Sequence, residues 1–360
     1  MKIVILGSAS SIHIVRWVNA LAQRGHQLHL IGKGRVSPTL DKSIAFHELK
    51  IGAFGIFWNV FRLRYLLRKL KPDILNAHYA TSYGLLARLS NYKPLLLSVW
   101  GSDVYEFPSK SKLHKALLRG NLKSSTAIGS TSFCMKQKAA ETFEHEAVFV
   151  TPFGIDVEKF APELPNSSKN FEIVIGTVKS LTKKYGIDTL ISCFDIVLKE
   201  LKGRIPVRLE ITGAGPDLTA LQDQVEDLGI QEFVKFNGSV DHDQVEKKLR
   251  ELDIYVALSR SESFGVAILE ASACGKAVVV SDAEGPAEVT INNVTGLIVE
   301  KDDPVAAAEA ILKLINDDAL RLKMGQAGRE HVLASYSWEK SVDIMLDAYA
   351  QTIEIEKKAR

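Results

Sequence analysis

The sequence predicts an α/β protein of two doubly wound, Rossmann-like domains, and three observations predict it. A chain of 360 residues exceeds what one ordinary hydrophobic core accommodates. Short apolar runs rich in β-branched residues alternate with helix-length periodic segments, the pattern of βαβ units that build a parallel sheet covered on both faces. The alternation halts once, at TPFGIDVEKFAPELPNSSKN (151–170), whose three prolines and polar end read as an interdomain linker. The expected domains are 1–155 and 156–337, with a final helix, about 338–358, that packs back on the first.

In chain order, KIVIL (2–6), QLHLI (27–31), DILNA (73–77), PLLLSV (94–99), TAIG (126–129) and AVFV (147–150) read as strands of the first domain. Segments such as 11–25 and 80–91 are its helices. EIVIGTV (172–178), VRLEITG (207–213), EFVKFNG (232–238), DIYVAL (253–258) and KAVVVSD (276–282) read as strands of the second. Beyond about 304 the periodicity is helical. Ligands of such sheets lie outside the carboxyl ends of the strands. Two domains facing each other would therefore enclose a central cleft lined by the residues that follow each strand.

Composition narrows the class. With 46% hydrophobic and 24% charged residues the chain is globular rather than disordered. No apolar run approaches the ~20 residues that span a bilayer, and MKIVILGS reads as a buried first strand, not a signal peptide. Cys134, Cys193 and Cys274 have neither metal-like nor disulfide-like spacing, which suits a reducing cytosol. The net charge of +2 conceals a split: residues 1–162 carry 22 Lys and Arg against 10 Asp and Glu, the rest 23 against 33. A basic half meets something negative, either nucleic acid or an anionic membrane surface.

Two glutamates, Glu262 and Glu270, have seven residues between them in SESFGVAILEASACGKAVVVSD (261–282). The loop SRSES leaves the carboxyl end of strand 253–258, and a helix begins near Phe264 and Gly265. Glu262 therefore stands at a strand end and Glu270 on the second helical turn. Carboxylates are seldom buried among Ala, Ile and Leu without a partner, because desolvating the charge is costly. The first N–H groups of the helix carry partial positive charge suited to a diphosphate, and carboxylates accept hydrogen bonds from sugar hydroxyls. The plainer alternatives are a capping Glu262 and a solvated Glu270.

The stretch ESFGVAILE (262–270) resembles the glutamate pair of the retaining GT-B glycosyltransferases of family 4, of the kind that builds bacterial cell-surface polysaccharide and lipopolysaccharide. GTVKSLTKKYGIDTLI (176–191), ITGAGPDLTAL (211–221), VKFNGSV (234–240), GKAVVVSDAEGPAEV (275–289) and VTGLIVEKDDP (294–304) support the likeness over about 172–340. The first half is similar more loosely, through GSASSIHIVRW (7–17), RGHQLHLI (24–31), NAHYA (76–80) and SVWGSD (98–103).

The resemblance implies a GT-B fold and transfer of a hexose or N-acetylhexosamine from a nucleoside diphosphate, UDP by default. It gives Glu262 the donor-sugar hydroxyls and Glu270 the ribose hydroxyls. Ser263, Phe264, Gly265 and Val266 stand at the donor phosphates, Gly213 at a strand-end turn and Val240 beside the base. Lys179 and Lys184 face the diphosphate, where fixed cations lower the barrier to leaving. Relatives usually carry Arg where Lys179 stands, and here Tyr185 is inserted before Gly186; Lys183 competes with Lys184 for the role. Front-face displacement assisted by the leaving phosphate needs neither an acid–base carboxylate pair nor a metal, and no cofactor beyond the donor.

On the acceptor side Ser10, His13 and Arg16 follow the first strand, with serines where relatives often carry glycines. Trp100 stands where relatives commonly have His, so acid–base chemistry is lost there and sugar stacking remains. Asp103 is a candidate to orient the acceptor hydroxyl, and His78 is the remaining imidazole. IGAFGIFWNVFRLRYLLRKLK (51–71) and SKSKLHKALLRGNLK (109–123) are basic amphipathic stretches, the first with Phe54, Phe57, Trp58, Phe61 and Tyr65 at helical spacing. They suit an anionic membrane surface and a lipid-linked glycan acceptor, or else an aromatic stripe packed on the sheet. No nucleic-acid motif is present. The expected place is the cytoplasmic face of the inner membrane, peripherally bound. The competing functions are a sugar-nucleotide epimerase and a catalytically silent scaffold.

Overall fold

The computed structural model describes residues 1–49, 55–163 and 172–359. The chain divides into two units, Met1–Pro152 with Ser341–Arg360, and Phe153–Lys340.

Among the described residues the first unit holds seven strands: β1 (Lys2–Leu6), β2 (Gln27–Gly32), β3 (Ala45–Glu48), β4 (Ile74–His78), β5 (Leu95–Val99), β6 (Ala127–Ser130) and β7 (Val148–Val150). All pair in parallel, in the order β3-β2-β1-β4-β5-β6-β7. The chain starts mid-sheet and winds outward in both directions, so β1 and β4 meet at the switch point where such sheets bind ligands. Ile3 to Leu6 have no exposed surface, which is why this strand reads as a continuous apolar run.

The helix Trp338–Lys358 enters this unit at Ser341. Tyr349, fully buried on it, donates its hydroxyl to Oδ1 of Asn76 on β4 at 2.8 Å. The Asn76 amide donates in turn to the Leu96 carbonyl (3.1 Å) and Ser98 Oγ (2.9 Å) on β5. Asp343 pairs with Arg24 at 2.8 Å, and Glu356 accepts from the Thr126 hydroxyl. A buried polar network thus ties the last helix to the sheet's centre.

The second unit is a six-stranded parallel sheet: β8 (Ile173–Val178), β9 (Val207–Thr212), β10 (Val234–Gly238), β11 (Ile254–Ala257), β12 (Ala277–Ser281) and β13 (Gly296–Val299), in the order β10-β9-β8-β11-β12-β13. Its core runs from Ile175, Leu209 and Val256 on the strands to Phe194, Val197 and Ile311 on the covering helices Ile187–Leu201 and Pro304–Asn316. Two four-residue edge strands, β3 and β13, were not among the strands read from the sequence. Part of the expected linker is packed structure: Phe160 is buried, and Ile155 bridges to Ser337 within the second unit. Residues 164–170 of that stretch lie outside the described residues.

Candidate active site

In the second unit, Lys179 follows β8 and Glu262 follows β11, neighbours in the sheet. The Lys179 ammonium lies 2.5 Å from Glu262 Oε1, with side chains only 8% and 12% exposed. The second carboxylate oxygen accepts from the Ser259 hydroxyl at 2.8 Å, and the Glu262 carbonyl accepts from Gly285 N–H at 3.0 Å. Burial disfavours the lysine cation, but the Glu262 carboxylate, Tyr255 and Tyr185 outweigh it and hold its pKa above the ordinary range. A buried charge persists where such a partner stands beside it.

Tyr185 sits in the turn Lys183–Tyr185, with the Lys179 ammonium 4.9 Å and the Lys184 ammonium 5.0 Å from its ring centre. Both distances lie within cation–π range. The residue that looked like an insertion in the sequence is thus a platform shared by the two cations. Gly186 closes the turn at φ +63°, and a Cβ there would meet the Leu258 carbonyl at 2.0 Å. Lys183 and Lys184 are both exposed.

Glu270 lies on the helix Val266–Ala273 and is 8% exposed, so it is not a solvated helix residue. The hydroxyl of fully buried Tyr255 is pushed up to about 12, by burial first, with Glu262 and Glu270 adding and Lys179 opposing. The two glutamates and Lys179 thus share one neighbour on β11. The first N–H groups of the helix, at Val266 and Ala267, have no intrahelical acceptor.

One expectation about this loop, that of Phe264, is corrected. The Phe264 side chain is 4% exposed and packs edge-on against Phe153 and Tyr336, 6.3 and 5.9 Å away; it anchors the loop and leaves only its main chain for a ligand. Gly213, at φ +147°, has the Lys179 carbonyl where its Cβ would stand, at 1.8 Å. The close approach of the neighbouring loop requires glycine there. Ser263 and Val266 are half-buried beside Phe264, and Gly265 caps the helix at φ +119°. Val240 is half-buried just beyond β10, where Asn237 donates to Glu210 and Thr212 at 3.0 Å each.

In the first unit the structure gathers His13, Trp100 and His78. Trp100 packs in T-shaped contact with both imidazoles, with centroids 5.7 Å from His13 and 5.3 Å from His78. Arg16 is half-buried one turn beyond His13, and Ser10 is exposed, 3.0 Å from the Ser8 hydroxyl. His78 is buried at the end of β4, and burial pushes it down to about 3, so it is a neutral ring beneath Trp100 with no accessible nitrogen. Asp103 departs from its expected role. Its carboxylate has no exposed surface and accepts the N–H groups of Ala80 (2.8 Å), Trp100 (3.0 Å) and Gly101 (2.8 Å). Both oxygens are spent on backbone amides, so Asp103 clamps the loops after β4 and β5 together and has none left for an acceptor.

The helix Gly55–Leu70 buries Val60, Leu63, Leu66 and Leu67 and exposes Trp58 (69%), Phe61 and Tyr65 (63% each) beside Arg62, Arg68 and Lys69. Residues 51–54 of the first basic stretch lie outside the described residues. In the second stretch Leu113, Lys112 and Lys115 are exposed. Among the described residues no helix is long and apolar enough to cross a membrane.

Sequence reasoning assigned no role to Tyr185, Ser259, Tyr255 or Arg260. Only Tyr185 left a signal, as an extra aromatic between the lysines and glycine of the turn.

The chain is similar to known proteins along both halves. Residues 160–331 match the family model for group 1 glycosyl transferases, and residues 2–132 match that for glycosyl transferase 4-like domains. The chain is 24% identical to N-acetyl-alpha-D-glucosaminyl L-malate synthase of Bacillus anthracis, over 94% of this chain and 93% of that one. It is 28% identical to a GDP-mannose-dependent alpha-(1-6)-phosphatidylinositol monomannoside mannosyltransferase of Mycolicibacterium smegmatis, over 71% and 69%. Among solved structures, a glycosyltransferase from Rickettsia africae superposes with a TM-score of 0.81 at 20% identity, covering 98% of each chain. Anabaena HepE bound to UDP gives 0.81 at 16%, covering 98% and 100%. Two Rossmann-like sheets and matches along both halves lead to one conclusion: this chain belongs to the family 4 glycosyltransferases of GT-B fold.

Proposed function

We propose that the enzyme transfers a hexosyl or N-acetylhexosaminyl group, with retention of configuration and without a metal, from a UDP-sugar to a glycan carried on membrane lipid. The observation that carries the donor reading is the grouping of Lys179, Glu262, Tyr185 and Lys184 at the ends of β8 and β11, with Glu270 buried on the helix that follows. Lys184 and the N-terminus of the helix Val266–Ala273 receive the diphosphate. Glu262 takes sugar hydroxyls, oriented by Lys179 and Ser259, and Glu270 takes the ribose. Developing negative charge on the leaving phosphate meets fixed cations, so the residues present supply what a metal would. The GDP-mannose-dependent relative favours a second reading, a GDP-linked donor.

Two features support a lipid-linked acceptor: the excess of basic residues in the first half, and the exposed Trp58, Phe61 and Tyr65 among arginines. Aromatic and basic side chains on one helix match the interface of an anionic bilayer. His13 and Trp100 offer an aromatic edge and face to the acceptor sugar.

The test is thermal-shift binding across UDP-, GDP- and ADP-sugars, repeated with Glu270→Ala. Stabilisation of the wild type by one nucleotide class, lost in the variant, is expected. If no sugar nucleotide stabilises the wild type, the scaffold reading replaces the enzyme. A sugar nucleotide converted to an isomer with no acceptor present would favour the epimerase.

A further inference from the structure

Arg260 lies between the two proposed donor groups, and its guanidinium is saturated. Nε donates to Asp302 at 2.6 Å, Nη1 to the Lys183 carbonyl (2.5 Å) and Asp188 (2.9 Å), and Nη2 to the other Asp188 oxygen (2.9 Å) and the Thr189 hydroxyl (3.2 Å). Those are all five N–H donors that an arginine side chain possesses. Its backbone N–H and that of Ser261 both donate to the Lys184 carbonyl, at 2.8 and 3.3 Å. One residue therefore grips the Lys184 turn by side chain and main chain, and Glu262 stands two positions further along the same loop.

The grip spans three elements. Asp188 is in the first turn of the helix Ile187–Leu201, and Asp302, at φ +58°, lies between β13 and the helix Pro304–Asn316. Arg260, Asp188 and Asp302 side chains are 30%, 45% and 55% exposed. Ion pairs that wet add little stability. A planar fork with every donor engaged fixes geometry instead, and lysine cannot reproduce it.

We propose that Arg260 is a positioning residue for transfer: it locks the Lys184 turn to the Glu262 loop so that cation and carboxylate meet one bound donor at a fixed spacing. This rests on the reading that Lys184 and Glu262 contact the nucleoside diphosphate sugar. Arg260 touches no substrate; its effect passes through Lys184.

The experiment is a titration with free UDP, and with GDP in parallel, of wild type, Arg260→Lys, Lys184→Ala and the double variant, with kcat and melting temperature measured on each. For the nucleotide the wild type binds, Arg260→Lys is expected to weaken binding about 10-fold and lower kcat, a typical consequence of misplacing a binding group. Its melting temperature should stay within a few degrees of wild type. Lys184→Ala weakens binding as well, and the double variant is no weaker than Lys184→Ala alone, since residues acting through one contact are not additive. Asp302→Asn, which removes one leg of the grip, is expected to give part of the loss. Additive losses in the double variant would overturn the inference and leave the donor reading intact, as would a melting temperature that falls while the folded fraction binds normally. If Lys184→Ala alone leaves binding unchanged, the role of Lys184 fails and the inference fails with it.

Discussion

The Lys179 ammonium and the Glu262 carboxylate, brought together from the ends of two neighbouring strands, form an ion pair almost closed to water. Neither charge is tolerable alone in that position. Lys179→Met is therefore expected to destabilise the fold by about 3–5 kcal/mol, the usual cost of stranding one partner of a buried pair. Replacing both, Lys179→Met with Glu262→Leu, should recover much of that loss while abolishing donor binding. Urea denaturation of the three variants decides it; a double variant as unstable as the sum of its singles contradicts the pairing.

Glu270 is buried on its helix, and the amide of Gln is nearly isosteric with its carboxylate. Glu270→Gln should leave the melting temperature within a few degrees and weaken nucleotide binding about 10- to 100-fold. That range corresponds to losing charged hydrogen bonds of about 1.5–3 kcal/mol. Calorimetric titration with UDP and GDP measures it. Binding that stays at the wild-type level removes Glu270 from the donor site.

His78 makes stability fall on the acid side. Its folded pKa lies at about 3, below an unfolded value near 6.5, so protons bind the unfolded chain more readily. Its contribution is complete above about pH 6.5 and drains away as pH falls toward 3, by about 1.4 kcal/mol per unit. His26, His29, His47 and His331 are lowered by burial first and bend the curve the same way. His78→Leu should flatten the slope between pH 6 and 4 relative to wild type in urea midpoints. Parallel curves would show that His78 is protonated in the folded state.

Tyr349→Phe deletes one hydroxyl and leaves Asn76 Oδ1 buried without its donor. The expected loss is about 1–3 kcal/mol, the cost of an unsatisfied buried acceptor. Unfolding should show it in the unit built on the seven-stranded sheet, with nucleotide binding by the other unit unchanged. A variant as stable as wild type would mean that the network carries no net energy.

Changing Trp58, Phe61 and Tyr65 together to Ser is expected to release the protein from anionic vesicles. Each of the three is more than half exposed, so the fold should be little affected. Co-sedimentation with phosphatidylglycerol vesicles is the readout, and retention at the wild-type level eliminates this helix as the membrane contact.

Much of the fold was legible because parallel strands are buried on both faces and so announce themselves as unbroken apolar runs, as Ile3 to Leu6 and Val278 to Val280 do. The edge strand β3, AFHE, lacks that signature. The proposed donor residues Glu262 and Glu270 stood out in the sequence because their spacing after a strand resembles a family motif. Asp103 was misread for a physical reason: an aspartate beyond a strand end looks the same in sequence whether it faces a ligand or gathers backbone N–H groups. Arg260 was invisible because its partners, Asp188 and Asp302, lie far from it along the chain.

The helix that carries Tyr349 comes after the whole second unit in the chain, although it belongs to the first. During synthesis the seven strands of the first sheet leave the ribosome long before the helix that covers Asn76. That unit must wait, with a polar network half assembled, while the other completes itself. Vectorial folding of this protein therefore runs out of order: the later-made unit is the first that can finish, and the earlier-made one is sealed last.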